Sequence, residues 1–261
     1  MILDTLAQAA RERVERKKRE VPPEEMRERA LSLPKDTGFP FEAALRAPGV
    51  GVIAELKRAS PSKGLIAGDF PYLEIAAQYE RGGAAALSVL TEPDYFLGRD
   101  EYLVQIHRAV SLPLLRKDFT VDPYQIYEAK ALGASAVLLI CSLLDEDALR
   151  RHRELCDSLG LSALTEAHDE AEIRKALRAG ARVVGVNNRN LKDFSVNPEN
   201  CLSLRKLVPP GVLFVAESGI RTAGDMKKLR LSGVDAALVG ETLMRSPDRE
   251  KTLKELRGEA L

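Results

Sequence analysis

Val52-Ile-Ala-Glu-Leu-Lys-Arg-Ala-Ser-Pro-Ser-Lys-Gly64 opens as a buried strand and closes as a polar loop. Val52, Ile53, Ala54 and Leu56 are apolar, and no turn residue interrupts them. Glu55 and Lys57 stand inside this run, two residues apart. Successive strand side chains point to opposite faces, so Ile53, Glu55 and Lys57 share one face. Burying a charge is costly unless it is paired, so two opposite charges at the end of such a strand need a reason to be there. The Ser-Pro-Ser-Lys-Gly loop that follows is rich in hydroxyl and backbone donors. A strand with inward charges running into an anion-friendly loop predicts one wall of an active site.

Outward from this stretch, strand and helix patterns alternate to the end of the chain. Apolar runs that read as strands occupy 51–57, 84–90, 112–117, 135–141, 161–166, 182–187, 212–217 and 235–239. Charged segments with helical spacing follow them at 72–81, 99–109, 123–132, 145–159, 169–179, 198–207, 222–232 and 247–257. Eight such alternations predict an α/β protein, a (β/α)8 TIM barrel, with a doubly wound open sheet as the alternative. An internal repeat favours the barrel. Gly83-Ala-Ala-Ala-Leu, Gly133-Ala-Ser-Ala-Val, Gly180-Ala-Arg-Val-Val and Gly233-Val-Asp-Ala-Ala each follow a helix and open strands two, four, six and eight. Their glycines recur roughly every 50 residues, or two βα units. Each stands where a helix ends and a left-handed residue is wanted.

Before the barrel, residues 2–19 read as an amphipathic helix with Ile2, Leu3, Leu6 and Val14 on one side. Pro22-Pro23 breaks it. A second helix is expected over 24–33, and a short third over 41–46 leads into the first strand. The run from Arg11 to Arg29 interleaves glutamates with its basic residues, so it reads as a solvated helical face rather than an arm for RNA or membrane. The chain is thus expected to be one barrel domain, 1–261, with 1–48 as an N-terminal helical extension whose apolar stripe covers part of the barrel mouth.

Composition narrows the function classes. A length of 261 residues suits one such barrel, and 45% hydrophobic content is ordinary for a full core. A formal net charge of zero argues against a general nucleic-acid binder. Charged residues at 30% exceed the usual quarter and suit a surface of ion pairs. Cys141, Cys156 and Cys201 are widely spaced with no C-x-x-C, which indicates neither a disulfide framework nor a zinc site and implies a reducing compartment. No apolar window approaches the roughly 20 residues needed to span a bilayer. A cytoplasmic protein is expected, with no membrane or nucleic-acid partner, as a monomer or weak homo-oligomer.

In such barrels the chemistry sits at the C-terminal strand ends. Polar residues collect there: Glu55 and Lys57 on strand one, Lys117 on three, Glu166 on five, Asn187 and Arg189 on six, Glu217 and Ser218 on seven. Alternation places Lys117 with Leu115, Glu166 with Leu164, Glu217 with Val215 and Asn187 with Gly185. If those partners face the barrel axis, two lysines and three glutamates converge on one mouth, with Arg189 close by. Salt bridges that merely hold strands in register are the bland alternative. Phosphate is the natural anion for this rim, since loops after strands seven and eight often bind it through backbone amides. Here those loops read Glu217-Ser-Gly-Ile and Gly240-Glu-Thr-Leu, and 60–64 could close the third side.

Other candidates are weaker. His107 and His152 fall inside charged helices and read as surface residues. His168 follows Glu166 by two and could reach the rim, but a loop or capping role is favoured. Cys141 reads as a small buried residue without a histidine partner. No H-E-x-x-H, EF-hand or Walker loop occurs, and no metal site is expected. A Schiff-base aldolase using Lys117 or Lys57 and a non-catalytic phosphate-binding barrel are the competing readings.

At these residues the sequence closely resembles the indole-3-glycerol phosphate synthases of tryptophan biosynthesis. The motifs are A-E-L-K-R-A-S-P-S-K-G (54–64), L-L-R-K-D-F (114–119), T-E-A-H (165–168), G-V-N-N-R-N-L (185–191), A-E-S-G-I (216–220) and V-G-E-T-L-M (239–244). They occur in the family's order and cover the whole barrel, and the helical stretch before residue 50 matches the family's extension. The resemblance implies ring closure of 1-(2-carboxyphenylamino)-1-deoxyribulose 5-phosphate to indole-3-glycerol phosphate, with loss of carbon dioxide and water and no cofactor. By matching positions, Lys117 would protonate the ribulose carbonyl oxygen and Glu166 would serve the later acid–base steps. Lys57 and Glu55 would assist around dehydration, and Glu217 would complete the cluster. Asn187 and Arg189 would hold the substrate. Ser60, Ser218, Gly219 and Gly240 would line the phosphate site, while Phe96, Phe119 and Pro61 would pack on the anthranilate ring. Many relatives carry serine where this chain has Glu241. A carboxylate beside a phosphate repels it, so the Glu241 side chain is expected to turn away.

Overall fold

Eight parallel strands close on themselves in the computed structural model, which describes residues 2–190 and 193–259. Met1, Ala260 and Leu261, at the ends of the expected 1–261 domain, lie outside the described residues, as do Lys192 and Leu191, the last residue of the 185–191 motif. The strands are β1 (Gly51–Leu56), β2 (Ala86–Leu90), β3 (Leu114–Lys117), β4 (Ala136–Ile140), β5 (Ser162–Ala167), β6 (Val183–Asn187), β7 (Leu213–Glu217) and β8 (Ala236–Val239). Closure is made by β1, which pairs Gly51 with Ala236 of β8 on one side and Ile53 with Ala86 of β2 on the other. The open-sheet alternative is thereby excluded.

Three helices precede the barrel: α1 (Ile2–Glu20), α2 (Pro23–Leu31) and α3 (Pro40–Leu45). Those around it are α4 (Tyr72–Arg81), α5 (Asp100–Ala109), α6 (Pro123–Ala131), α7 (Glu146–Ser158), α8 (Glu170–Arg178), α9 (Glu199–Leu204), α10 (Ala223–Leu231), α11 (Glu241–Met244) and α12 (Arg249–Arg257). The helix expected over 198–207 is α9 followed by a 3-10 turn, Arg205–Leu207.

The repeat found in the sequence is a repeat of helix endings. Gly83, Gly133, Gly180 and Gly233 have φ of 81°, 91°, 81° and 71°. The residue after each donates its N–H back to the last helical turn: Ala84 to Tyr79, Ala134 to Ala129, Ala181 to Ala176 and Val234 to Leu229, at 3.0–3.1 Å. These are Schellman motifs, closed by a 6→1 bond and an apolar residue beyond the glycine.

Alternation sorts the strand residues into two layers. Ile53, Leu115, Leu138, Leu164, Val215 and Leu238 fill the barrel, whereas Val52, Val137, Val184 and Phe214 pack outward against the helices. The third helix does more than lead into β1. Phe41 and Leu45 of α3, 0% and 1% exposed, join the inner cluster and plug the N-terminal end of the barrel. Its Glu42 is buried against Arg182, 2.8 Å away, and accepts a hydrogen bond from Ser162 Oγ at 3.1 Å. A buried carboxylate with these partners is satisfied, so the plug is anchored. The chemistry is thus confined to the opposite mouth.

The charge run of the extension is only partly solvated, which corrects the sequence reading. Arg13 is buried and pairs with Asp118, Lys17 reaches Asp100 of α5 and Glu128 of α6, and Lys18 reaches Asp122 at 2.9 Å. Arg13 lies beside Leu6, Ala10 and Val14 on the buried face of α1, so its guanidinium enters the interface with the apolar stripe. Among the described residues no helix is long and apolar enough to cross a membrane.

Candidate active site

Glu55, Lys117, Glu166 and Glu217 each take the last inward position of their strand, and Lys57 lies one residue beyond β1. Lys117 ends β3, and its Nζ donates to Glu166 Oε2 of β5 and to Glu217 Oε2 of β7, both at 3.0 Å. Glu55 of β1 forms an ion pair with Lys57 and accepts from Ser88 Oγ at 3.4 Å. Asn187, at the end of β6, points Nδ2 at Glu166 Oε1 over 3.4 Å, and its Oδ1 accepts the Arg189 N–H at 3.0 Å. The five charges expected at one mouth do meet there.

Their electrostatics are unequal. Burial works against the Lys117 charge, but Glu166, Glu217 and Glu55 more than offset it and hold the ammonium protonated well above its ordinary range. Burial also opposes the charge of Glu166; Lys117, His168 and Asn187 outweigh it and keep this carboxyl low. Glu217 is pushed up by burial, and the neighbouring negative charges of Glu166 and Glu55 add to the effect despite Lys117. The difference has a geometric cause, for Glu217 Oε1 is buried without a hydrogen-bond partner whereas Glu166 has partners on both oxygens. Two carboxyls sharing one ammonium are therefore split: Glu166 is held as the anion, the form able to accept a proton, and Glu217 has the higher proton affinity.

The remaining candidates surround the same cavity, about 390 Å³, with Lys117, Glu166 and Glu217 among its lining. At one side lie Phe96 and Phe119, ring centroids 6.1 Å apart, and the wall also includes Pro61. Ser60, Ser218, Gly219 and Gly240 line it as well, as does Arg189, whose Nη1 donates to Phe194 O at 3.1 Å. Ser60 belongs to a short hairpin, Ala59–Ser60 paired with Gly64–Leu65, in the loop after β1. Ser218 takes a left-handed φ of 67°, unusual without glycine and held by Asn188 Nδ2 donating to its carbonyl at 3.0 Å. The Gly240 position leaves no room for a side chain: a Cβ there would lie 2.4 Å from Glu55 Oε1 and 3.1 Å from Lys57 Nζ. Its glycine thus makes space for the Glu55–Lys57 pair.

The apolar stripe of the extension does reach the mouth: Ile2, Leu3 and Leu6 of α1 form part of the cavity wall, residues that the sequence did not assign to the site one by one. Lys63, Arg221 and Arg245 add basic groups to the lining. The Glu241 carboxylate, expected to turn away, is drawn to Lys63 at 3.4 Å and Arg245 at 3.2 Å. The apolar first turn of α1 and the basic flanks of the glycine loops were signals for these, but helices and loops have no alternation rule that says which way a side chain points.

Among the weaker candidates only His152 departs from its reading. His107 is exposed, but His152 is buried, because positions 149, 152 and 156 share the inner face of α7 with Leu149 and Cys156. The His168 backbone N–H does donate to Glu172 at 2.8 Å, yet its ring also bridges Glu172, 3.1 Å away, and Glu166, 3.6 Å away. Cys141 is buried, and burial first, with Glu172 nearby, pushes its thiol up to about 12. It is no nucleophile. Among the described residues no group of His, Cys, Asp and Glu could hold a metal ion.

Comparison with known proteins agrees with this geometry. The family model described as indole-3-glycerol phosphate synthase matches residues 3–256. Indole-3-glycerol phosphate synthase of Ruminiclostridium cellulolyticum is 54% identical over 260 residues, covering 100% of both chains. The enzyme of that name from Lactiplantibacillus plantarum is 51% identical, covering 98% of each. Among solved structures, 3-hexulose-6-phosphate synthase superposes with a TM-score of 0.66 at 14% identity, over 81% of this chain and 100% of that one, a likeness of fold alone. With the family match running through the whole barrel and the relatives matched end to end, the chain belongs to the indole-3-glycerol phosphate synthase family, carboxy-lyases of tryptophan biosynthesis.

Proposed function

We propose that this barrel mouth closes 1-(2-carboxyphenylamino)-1-deoxyribulose 5-phosphate to indole-3-glycerol phosphate, with Lys117 as the acid that begins the reaction. The observation that carries this reading is the Lys117 ammonium, 3.0 Å from both Glu166 and Glu217 inside the cavity. Attack of the aromatic carbon on the ketone turns its oxygen into a hydroxyl, which demands a proton at that atom. A buried, firmly protonated lysine supplies the proton and stabilises the developing alkoxide. Loss of carbon dioxide then restores the aromatic ring. Dehydration removes the new hydroxyl together with a proton from the adjoining carbon, and Glu166 takes the proton-handling role, with Glu55 and Lys57 beside the leaving water. Glu217 shares the Lys117 charge and completes the cluster.

Substrate binding divides along the cavity. Phe96, Phe119 and Pro61 take the aromatic ring, and Arg189, its guanidinium held by the Phe194 carbonyl, takes the ring's carboxylate. Ser60, Ser218, Gly219 and Gly240 take the phosphate, with Lys63 and Arg245 as further cations nearby. No step in this scheme calls for a metal or organic cofactor. The chain acts as a single domain in which residues 1–48 are an extension, and works in the cytoplasm as a monomer or weak homo-oligomer.

The high proton affinity of Lys117 disfavours the aldolase reading, since Schiff-base formation needs a neutral amine. Two measurements test the proposal. The purified protein should generate indole-3-glycerol phosphate fluorescence from the synthetic substrate. Borohydride with a keto-sugar phosphate should leave the chain unmodified; a trapped adduct on Lys117 or Lys57, without indole formation, would make it an aldolase.

A further inference from the structure

Phe96 and Phe119 of the cavity wall sit on different loops, and each loop is tied down by a buried carboxylate. Glu92, two residues beyond β2, accepts three backbone N–H groups: Asp94 at 3.0 Å, Tyr95 at 2.8 Å and Phe96 at 2.9 Å. Asp118, one residue beyond β3, accepts the N–H of Phe119 at 2.8 Å and the Thr91 hydroxyl at 2.7 Å. Both carboxylates are nearly inaccessible to water, 1% and 3% exposed. Between them lies one guanidinium from the extension. Arg13 Nη2 bonds Asp118 Oδ1, and Nη1 stands 3.5 Å from Glu92 Oε1. The guanidinium is planar with diverging donors, so it can serve two carboxylates at once, which a point-charge ammonium cannot do as well.

We propose that Arg13 is a positioning residue for the aromatic end of the substrate. It spans the anchors of the Phe96 and Phe119 loops and thereby sets the spacing of the two rings. The inference rests on the reading that those rings hold the anthranilate ring. Without Arg13, Glu92 and Asp118 face each other as buried like charges. Among the described residues Asp118 then keeps Arg116 Nη2, 3.7 Å away, as its ion-pair partner, and Glu92 keeps its backbone donors. Repulsion between buried like charges is strong, and the two loops carry it outward to Phe96 and Phe119. Asp118 follows Lys117 directly, but the Lys117 ammonium is held by Glu166 and Glu217 at 3.0 Å, so the larger effect of Arg13 falls on binding of the aromatic part.

Steady-state kinetics of Arg13→Met and Arg13→Lys, with inorganic phosphate as a competing ligand, test this. Arg13→Met should raise KM about tenfold or more with kcat within about threefold, the pattern of lost uniform binding. The inhibition constant of inorganic phosphate should not move, because the phosphate loops lie elsewhere. Arg13→Lys should fall between, as one charge meets one carboxylate. It also carries the test if Arg13→Met does not fold. An unchanged KM, or phosphate inhibition weakened in step with KM, overturns the proposal. Phe96→Ala and Phe119→Ala separate the two levels: if they raise KM while the Arg13 variants do not, Arg13 has no such role; if neither does, the aromatic-ring reading itself fails.

Discussion

Replacing Lys117 with alanine removes the ammonium that stands 3.0 Å from Glu166 and from Glu217. Losing one positioned acid costs about 10²–10⁴-fold in rate, equivalent to about 3–5 kcal/mol of barrier. The surroundings argue for the upper half of that range. Glu166 and Glu217 are 3% and 2% exposed, and both lose their shared counter-ion. Two close carboxylates cannot both stay ionised without it, so one takes up a proton. The variant loses its acid and disturbs the base needed for dehydration in the same step. We therefore expect kcat to fall by about 10³-fold or more, with KM changing far less because the phosphate loops and aromatic rings are intact. Lys117→Arg should not rescue it, since guanidinium binds its proton too tightly and has another shape. The assay is fluorescence of indole-3-glycerol phosphate at saturating substrate, with thermal melts to show that the variants fold. A folded Lys117→Ala protein with kcat within tenfold of the parent would falsify the assignment.

Other expectations follow from particular contacts. Gly240→Ala places a Cβ 2.4 Å from Glu55 Oε1 and should lower kcat about tenfold by displacing the Glu55–Lys57 pair; unchanged kcat would show the pair is dispensable. Gly219→Val forces a side chain into φ 82° and within 2.8 Å of Val196, so KM should rise strongly, and an unaltered KM would sink the phosphate assignment. Deleting residues 1–40 strips Leu3 and Leu6 from the cavity and Arg13, Lys17 and Lys18 from their partners, but spares the Phe41 plug. Tm should drop by more than about 5 °C and KM should rise; normal melting and kinetics would refute this. Burial pulls the His168 pKa down, but its Glu172 hydrogen bond and nearby Glu166 raise it above the ordinary 6.5. The stability it contributes is complete below about pH 6.5 and is lost as pH rises through the raised value. His168→Asn should thus lower Tm most in mildly acidic buffer, and a Tm difference independent of pH would contradict the linkage.

Strand periodicity made the barrel and its charged rim legible from the chain alone. A period of two assigns every strand residue to one of two faces, so Glu55, Lys117, Glu166, Asn187 and Glu217 could be aimed at one mouth before any contact was known. The glycine repeat was equally local in origin, because Schellman endings need a left-handed residue at one place and an apolar one after it. Tertiary structure alone decided what depends on distance in the chain. Phe41 and Leu45 read as an ordinary short helix, and only a barrel of eight strands has an open end for them to fill. Arg13 and Asp118 are 105 positions apart, so the charge of one offers no hint of the other, and a buried arginine looks in sequence like a solvated one. His152 was misread for a related reason, since α7 turns a face of Leu149, His152 and Cys156 inward among mostly charged neighbours. The unequal proton affinities of Glu166 and Glu217 could not be read at all. They depend on which carboxylate oxygen is left without a partner, and that is fixed by ångström-scale packing across the mouth.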